Sequence, residues 1–392
     1  MDSPDGRPVE RTERALRVLQ VVRPAVGGMK DHVLELCQGL HSRGHTVEIA
    51  CPTGSDVARE AAALGFHVHE IVLVGPLRPI SDMRGIAQIA GIVRRGRFDL
   101  VHAHGFKAGL VARLGGAFGG CKARIVTVHN QVGYAGSGVS GSTRAVYRFA
   151  EKGLAHITSR VIAVSDALRC ELIEEYGLSP DLVVTVHNGV DVHAFLEPQD
   201  VIRERARLDI PAGHLVVGTA ARFAIQKGLK YLVEAAIEIG SRRNDVVFVL
   251  GGDGPLRSEL EASVADAGAG RFVRMPGFIQ DMPAFLAVLD MFVSSSLSEG
   301  LPLTFVQAGA AQCPVVATSV GGTPEIVRHE VNGLLVPPAD ARALAGAIER
   351  LLDDPPARDR LGVEGRRIAL AEFAPETMVE RTIAVYTRAL RV

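Results

Sequence analysis

The chain has no tryptophan, and its aromatic residues make up only 5% of 392 positions. That is too few for a platform on which successive bases stack. It has no excess of one charge either: 43 Lys and Arg against 44 Asp and Glu leave a formal net charge of −1. With no basic run interleaved with aromatics, nucleic acid is excluded as the expected partner. The five cysteines, Cys37, Cys51, Cys121, Cys170 and Cys313, are scattered, odd in number and never in CxxC spacing. Neither a disulfide framework nor a cysteine metal site is expected, and thiols kept reduced in the cytosol are the better reading. No stretch approaches the roughly 18 apolar residues that span a bilayer. The start, MDSPDGRPVERTERA, is polar and lacks the apolar core of a signal peptide. A cytoplasmic protein is expected, with peripheral contact at the inner face of the cell membrane left open. Repeats and low-complexity segments are missing, which excludes a solenoid.

What is present is a globular composition on a chain long enough for two or three domains of about 100–200 residues. Short apolar runs alternate with Gly-rich or helix-period stretches. LRVLQVV (16–22), TVEIACP, HVHEIVLV, DLVHAH, RIVTVH, RVIAVS and LVVTVHNGV read as strands. After HNGVDVHAF (187–195) the pattern restarts with LVVGTAARF, DVVFVLGGDG, RFVRMPGF, MFVSSS and CPVVATS. Such alternation predicts βαβ units and parallel sheets covered on both faces. The expected fold class is α/β, with two Rossmann-like doubly wound domains facing each other across a deep cleft. A tail at 1–14, an N-terminal domain at 15–194 and a C-terminal domain at 195–374 are the expected boundaries. DARALAGAIERLLDD predicts an amphipathic helix capped by Asp340, with Leu344, Ile348, Leu351 and Leu352 inward and Asp353–Asp354 as its solvated end.

Open α/β sheets bind ligands beyond the carboxyl ends of their strands, and the informative motifs fall there. In RPAVGGMKDH (23–32), Gly27 and Gly28 precede a helix start whose free N–H groups suit an anion. The pattern is neither GxGxxG nor GxxxxGK[ST], so taken alone it reads first as a simple tight turn. In AARFAIQKG (220–228), Arg222 and Lys227 sit where a loop can bring two cations onto one diphosphate, though two solvated charges also fit. In LSEGLPLTFVQAGAAQCPVVATSVGGTPEIV (297–327), Glu299 lies in a Gly-rich turn and Pro302 suits the first helical position. The eight residues to Gln307 are slightly over two turns at 3.6 per turn, so Glu299 and Gln307 can face one ligand. Ordinary capping would also favour an acid there. His102, His104 and His129 end strands, as structural residues or as catalysts. No HExxH or other metal spacing links them, GxSxG is absent, and Gly252–Gly254 reads as a strand-to-helix turn.

Together these segments resemble a retaining GT-B glycosyltransferase of the large bacterial group 1 or family 4 type, which includes phosphatidylinositol mannosyltransferases and capsule and exopolysaccharide enzymes. The resemblance runs from GGMKDHVLEL to NGLLVPPAD, through RGHTVEIACP, DLVHAHG, VIAVSDALR, VHNGVD, ARFAIQKGLKYLVEA and VLGGDGPLRSEL. It implies that Gly27 and Gly28 lie by a donor diphosphate whose oxygens Arg222 and Lys227 neutralise. It also places Gly277, Phe278, Ile279, Gly300, Leu301, Pro302 and Leu303 at the donor. His129, in the family's T-x-H strand end, would contact the transferred sugar, with His32, His102 and His104 as acceptor-side candidates. Glu299 matches the first acid of the family's E-x7-E motif and would hold sugar hydroxyls. The second acid, which holds the donor ribose, is here Gln307.

An amide oxygen still accepts one hydroxyl bond, so the exchange costs about 1 kcal/mol of donor affinity rather than the chemistry. The resemblance implies metal-independent transfer from a UDP- or GDP-linked sugar to a sugar or lipid-linked hydroxyl, with no cofactor. A terminal helix over 375–392 is implied to cross back to the N-terminal domain. Acceptor pockets would come from loops such as Leu73–Met83 and Gln131–Gly141. The basic amphipathic stretch 142–156 is a membrane-surface candidate or an ordinary surface helix. A GT-B-fold nucleotide-sugar epimerase, and a nucleotide-sugar-binding protein with impaired turnover, are the competing readings.

Overall fold

The computed structural model describes residues 14–24, 27–73, 78–130 and 141–391, without the side chains of 141–144. Seven strands form one sheet: β1 (Arg17–Val22), β2 (Thr46–Cys51), β3 (His67–Glu70), β4 (Leu100–His104), β5 (Ala123–Val128), β6 (Arg160–Ala163) and β7 (Val183–Thr185), ordered β3-β2-β1-β4-β5-β6-β7. Six form a second: β8 (Leu215–Ala220), β9 (Val246–Gly251), β10 (Val273–Gly277), β11 (Met291–Ser294), β12 (Val315–Thr318) and β13 (Gly333–Val336), ordered β10-β9-β8-β11-β12-β13. β1 pairs parallel with β2 and β4, and β8 with β9 and β11. Every residue of β9 is buried, as is all of β1 after Arg17. Burial on both faces is why these strands read as continuous apolar runs rather than alternating ones.

By contacts the chain divides into two compact units. One holds the described residues up to Thr127 with Gly153–Ile162 and 379–391; the other holds Val128–Lys152 and Ala163–Met378. In the first, helix Pro79–Gly96 packs on helix Phe106–Gly119 through small residues. A Cβ at Gly115 would lie 2.7 Å from Ile89, and one at Gly119 would lie 2.8 Å from Val93. Between these helices Asp82 pairs with Lys107, both buried. The helix Pro375–Leu390 brings Tyr386, completely buried, to Gln20 of β1 and His102 of β4.

In the second unit the helix Ala341–Asp353 has the predicted cap, the Ala343 N–H donating to Asp340 at 2.9 Å, and the predicted buried face of Leu344, Ile348, Leu351 and Leu352. Five local expectations change. HVHEIVLV is a strand only over His67–Glu70, and LVVTVHNGV only over Val183–Thr185. Strand β13 was not foreseen, since a run of four, GLLV, carries no period. Pro302 is the residue before helix Leu303–Ala310 rather than its first. Asp353 and Asp354 are not merely a solvated end: Asp353 pairs with Arg243, and Asp354 caps helix Pro355–Glu372 by accepting from Ala357 at 3.0 Å.

Breaking a buried ion pair strands one charge, whereas replacing both partners with apolar residues does not. Asp82→Ala should therefore cost about 3–5 kcal/mol in urea unfolding. The double variant Asp82→Leu/Lys107→Met should recover most of that loss; equal losses in both would contradict the pairing.

Candidate active site

In the second sheet the strand order reverses between β8 and β11, so the loops leaving those strands diverge and open a crevice at their carboxyl ends. Three loops build it. After β8 the chain passes Arg222, then a 3-10 turn, Ile225–Lys227. Gly228 ends that turn at φ +56°, where a Cβ would lie 2.2 Å from the Ser295 carbonyl oxygen. Only glycine meets both the dihedral and the space. The approach is fixed by Leu297 N–H donating to the Gln226 carbonyl at 2.8 Å and by Ser295 Oγ donating to the Lys227 carbonyl at 3.2 Å.

The loop after β11 carries Glu299, 8% exposed. Its Oε1 accepts from Lys227 Nζ at 2.7 Å and from Ser296 Oγ at 2.6 Å. The third loop, after β12, lies beneath: Gly321 sits at φ +49° with its Cβ position 1.8 Å from the Glu299 carbonyl oxygen, and Gly322 N–H donates to Gly300 at 3.1 Å. A Cβ at Gly300 would in turn meet the His129 carbonyl oxygen at 1.9 Å, so buried His129 lies directly against the Glu299 turn.

The structure thus brings Lys227, Glu299, Gly300 and His129 together. Arg222 is exposed and makes no side-chain hydrogen bond or ion pair among the described residues. Gln307 is half-buried on helix Leu303–Ala310; because Glu299 lies before that helix, the two-turn spacing does not relate the pair. Leu301 and Pro302 are buried and Leu303 half-buried, leading into this helix. Gly277 ends β10 at φ +88°, Phe278 beyond it is 76% exposed, and Ile279 is buried over Gly251 of β9.

In the first unit, Gly27 takes φ +64° and helix Gly28–Ser42 starts after it, leaving the first N–H groups without intrahelical partners. His32 is on this helix, with its ring 5.5 Å from His104. His102 holds Tyr386 Oη through Nδ1 and Thr127 Oγ1 through Nε2, both at 2.7 Å, and His104 Nε2 meets Gln20 Oε1 at 2.8 Å. Both nitrogens of His102 are therefore used inside the unit. Of the two acceptor loops, 74–77 and 131–140 lie outside the described residues.

The family model for group 1 glycosyl transferases matches residues 200–368, and that for glycosyltransferase family 4 matches 26–194. A D-inositol 3-phosphate glycosyltransferase from Catenulispora acidiphila is 32% identical, over 93% of this chain and 91% of its own. The chain belongs to this glycosyltransferase family. An Escherichia coli UDP-Gal:alpha-D-GlcNAc-diphosphoundecaprenol alpha-1,3-galactosyltransferase is 28% identical over 70% of this chain and 72% of its own. A crystal structure of Anabaena HepE in complex with UDP superposes with a TM-score of 0.82 at 21% identity, covering 95% of this chain and all of that one. The fold is GT-B, two parallel-sheet Rossmann-like domains.

Sequence reasoning missed two residues that hold these loops in place. Ser296, within the serine run SSSLSEG, gives Glu299 its second donor. Glu325 accepts from the N–H groups of Asp166 and Ala167, at 2.8 and 2.9 Å, and from His187 Nε2 at 2.8 Å, tying the loop after β12 to the start of helix Asp166–Glu174. Burial alone would raise the Glu325 pKa, but these hydrogen bonds outweigh it and the net shift is downward.

The buried histidines titrate in a different range. Burial, with His32 adding repulsion, lowers His102 to about 3, and burial lowers His32 to about 4. Both are neutral in the fold, whereas unfolded histidine takes its proton near pH 6.5. The unfolded chain therefore binds more protons below that pH, and stability falls as pH falls. Unfolding free energy should drop from pH 6.5 to 5 by up to about 1.4 kcal/mol per pH unit for each histidine. Urea midpoints at those pH values check this, and a flat profile would contradict it.

Proposed function

We propose that the protein transfers a hexose from a UDP- or GDP-linked donor to an acceptor hydroxyl with retention of configuration and without a metal ion, in cell-surface polysaccharide or glycolipid assembly. The carrying observation is the Lys227–Glu299–Ser296 cluster at the point where the second sheet reverses. Lys227 has three N–H donors. One holds Glu299, which leaves two for phosphate oxygens. Arg222, exposed and uncommitted, supplies a forked second cation suited to a diphosphate. Glu299 Oε2 makes no bond to the described residues and is an acceptor for a sugar hydroxyl. Phe278 offers an exposed ring for the base, and Gln307 an amide for the ribose. His129 would stand beside the transferred sugar, as its position against Gly300 supports.

In this reaction the bond from the anomeric carbon to the diphosphate oxygen breaks with its electron pair, which the two cations stabilise. The acceptor oxygen bonds to the same carbon from the same face, and its proton passes to a phosphate oxygen. The relatives support a UDP-linked donor and a lipid-linked or small polyol acceptor. Val146 and Phe149, 57% and 82% exposed on helix Gly141–Ala155 beside Arg148, support peripheral membrane contact for an acceptor held there.

Saturation at 100 times the dissociation constant should stabilise the protein by about 2.7 kcal/mol. A melting-temperature shift is therefore expected with one nucleotide sugar, lost in Arg222→Ala and larger in Gln307→Glu, where the ligand should stabilise the protein by about 1 kcal/mol more. No shift with any UDP- or GDP-sugar would overturn the proposal.

A further inference from the structure

We propose that Glu48, His67 and His69 form a binding site for a divalent transition metal ion, zinc fitting best, on the edge of the first sheet. Strand β3 is the last strand of that sheet and pairs parallel with β2, with His67 opposite Glu48. Residues two apart on a strand share a face, so His67 and His69 present both imidazoles on one side. Their rings meet edge to face with centroids 4.5 Å apart. Glu48 rises beside them: its Oε2 lies 2.6 Å from His69 Nε2, and the three residues each offer a donor atom within 4.8 Å of the others.

Two imidazoles and a carboxylate are a donor set that zinc takes at about 2.0–2.2 Å with tetrahedral geometry, which separates donors by about 3.4 Å. The existing spread needs only small side-chain rotations to reach that separation. Magnesium and calcium prefer oxygen donors, and the imidazoles select against them. The carboxylate is already oriented, since Arg17 Nη2 donates to Glu48 Oε1 at 2.9 Å, and an ion would take the place of the proton now shared between Oε2 and His69 Nε2. An outer hydrogen bond of this kind fixes a metal-binding carboxylate, although the guanidinium charge also lowers the affinity. His69 and Glu48 are partly sheltered while His67 is exposed, so an ion can enter from solvent and keep one position for water. His67 has no hydrogen-bond partner among the described residues, so no bond of its own must break.

Another cluster among the described residues, Asp166, His187 and Glu325, is a poorer host because both Glu325 oxygens already accept backbone N–H bonds. The β3 site shares no residue with the donor crevice. An ion there would fasten a four-residue edge strand to its neighbour.

Isothermal titration of the full chain with zinc chloride tests this, together with cobalt(II) absorption as a report on coordination number. The expected result is one equivalent bound, with an intense four-coordinate cobalt spectrum. Affinity should fall at least about tenfold in His67→Ala and in His69→Ala, with UDP binding unchanged. His67 is exposed, so its variant should fold, and circular dichroism verifies that. Absence of zinc binding, or binding unaltered in both histidine variants, would overturn the proposal.

Discussion

One buried carboxylate organises the second sheet's crevice. An ionised group taken out of water is tolerated only when it is paired and hydrogen-bonded. Glu299 meets that condition through Lys227 and Ser296, which come from two different loops. The need to neutralise it therefore fixes the loop after β8 against the loop after β11. The glycines follow from the same closeness. Gly228 and Gly321 let backbone pass where a side chain would collide with carbonyl oxygens, and both hold positive φ.

This arrangement divides the two cations by task. Lys227 is held by Glu299 and by the Ser295 contact to its carbonyl, so its position is set before any ligand arrives. Arg222 is exposed and has no such partner among the described residues. A preset point charge and an exposed fork together suit a diphosphate whose negative charge grows as the sugar bond breaks. Gln307, on helix Leu303–Ala310, takes no part in this pairing.

Most of the architecture was legible because strands buried on both faces leave unbroken apolar runs, and because Gly-rich turns mark their carboxyl ends. β13 was not, since four apolar residues fit helix or strand equally. The Glu299 turn was legible as a place but not as a mechanism. Glu299 lies in the turn before the helix as the sequence indicates, so counting helical turns to Gln307 does not relate the two side chains. Ser296 and Glu325 were hidden for a physical reason: each acts on a residue whose proximity depends on how separate loops fold back. The His67-x-His69 pair was similarly silent, because two histidines on a strand mean little until register places Glu48 beside them.

The central claim is that Glu299 binds the sugar of the donor and not its nucleotide. Titration calorimetry of Glu299→Gln with UDP and with the intact nucleotide sugar tests it directly. Loss of a charged hydrogen bond of about 1.5–3 kcal/mol should weaken the nucleotide sugar about 10- to 100-fold more than it weakens UDP, which loses only the preset position of Lys227. An equal loss for both ligands would contradict the account.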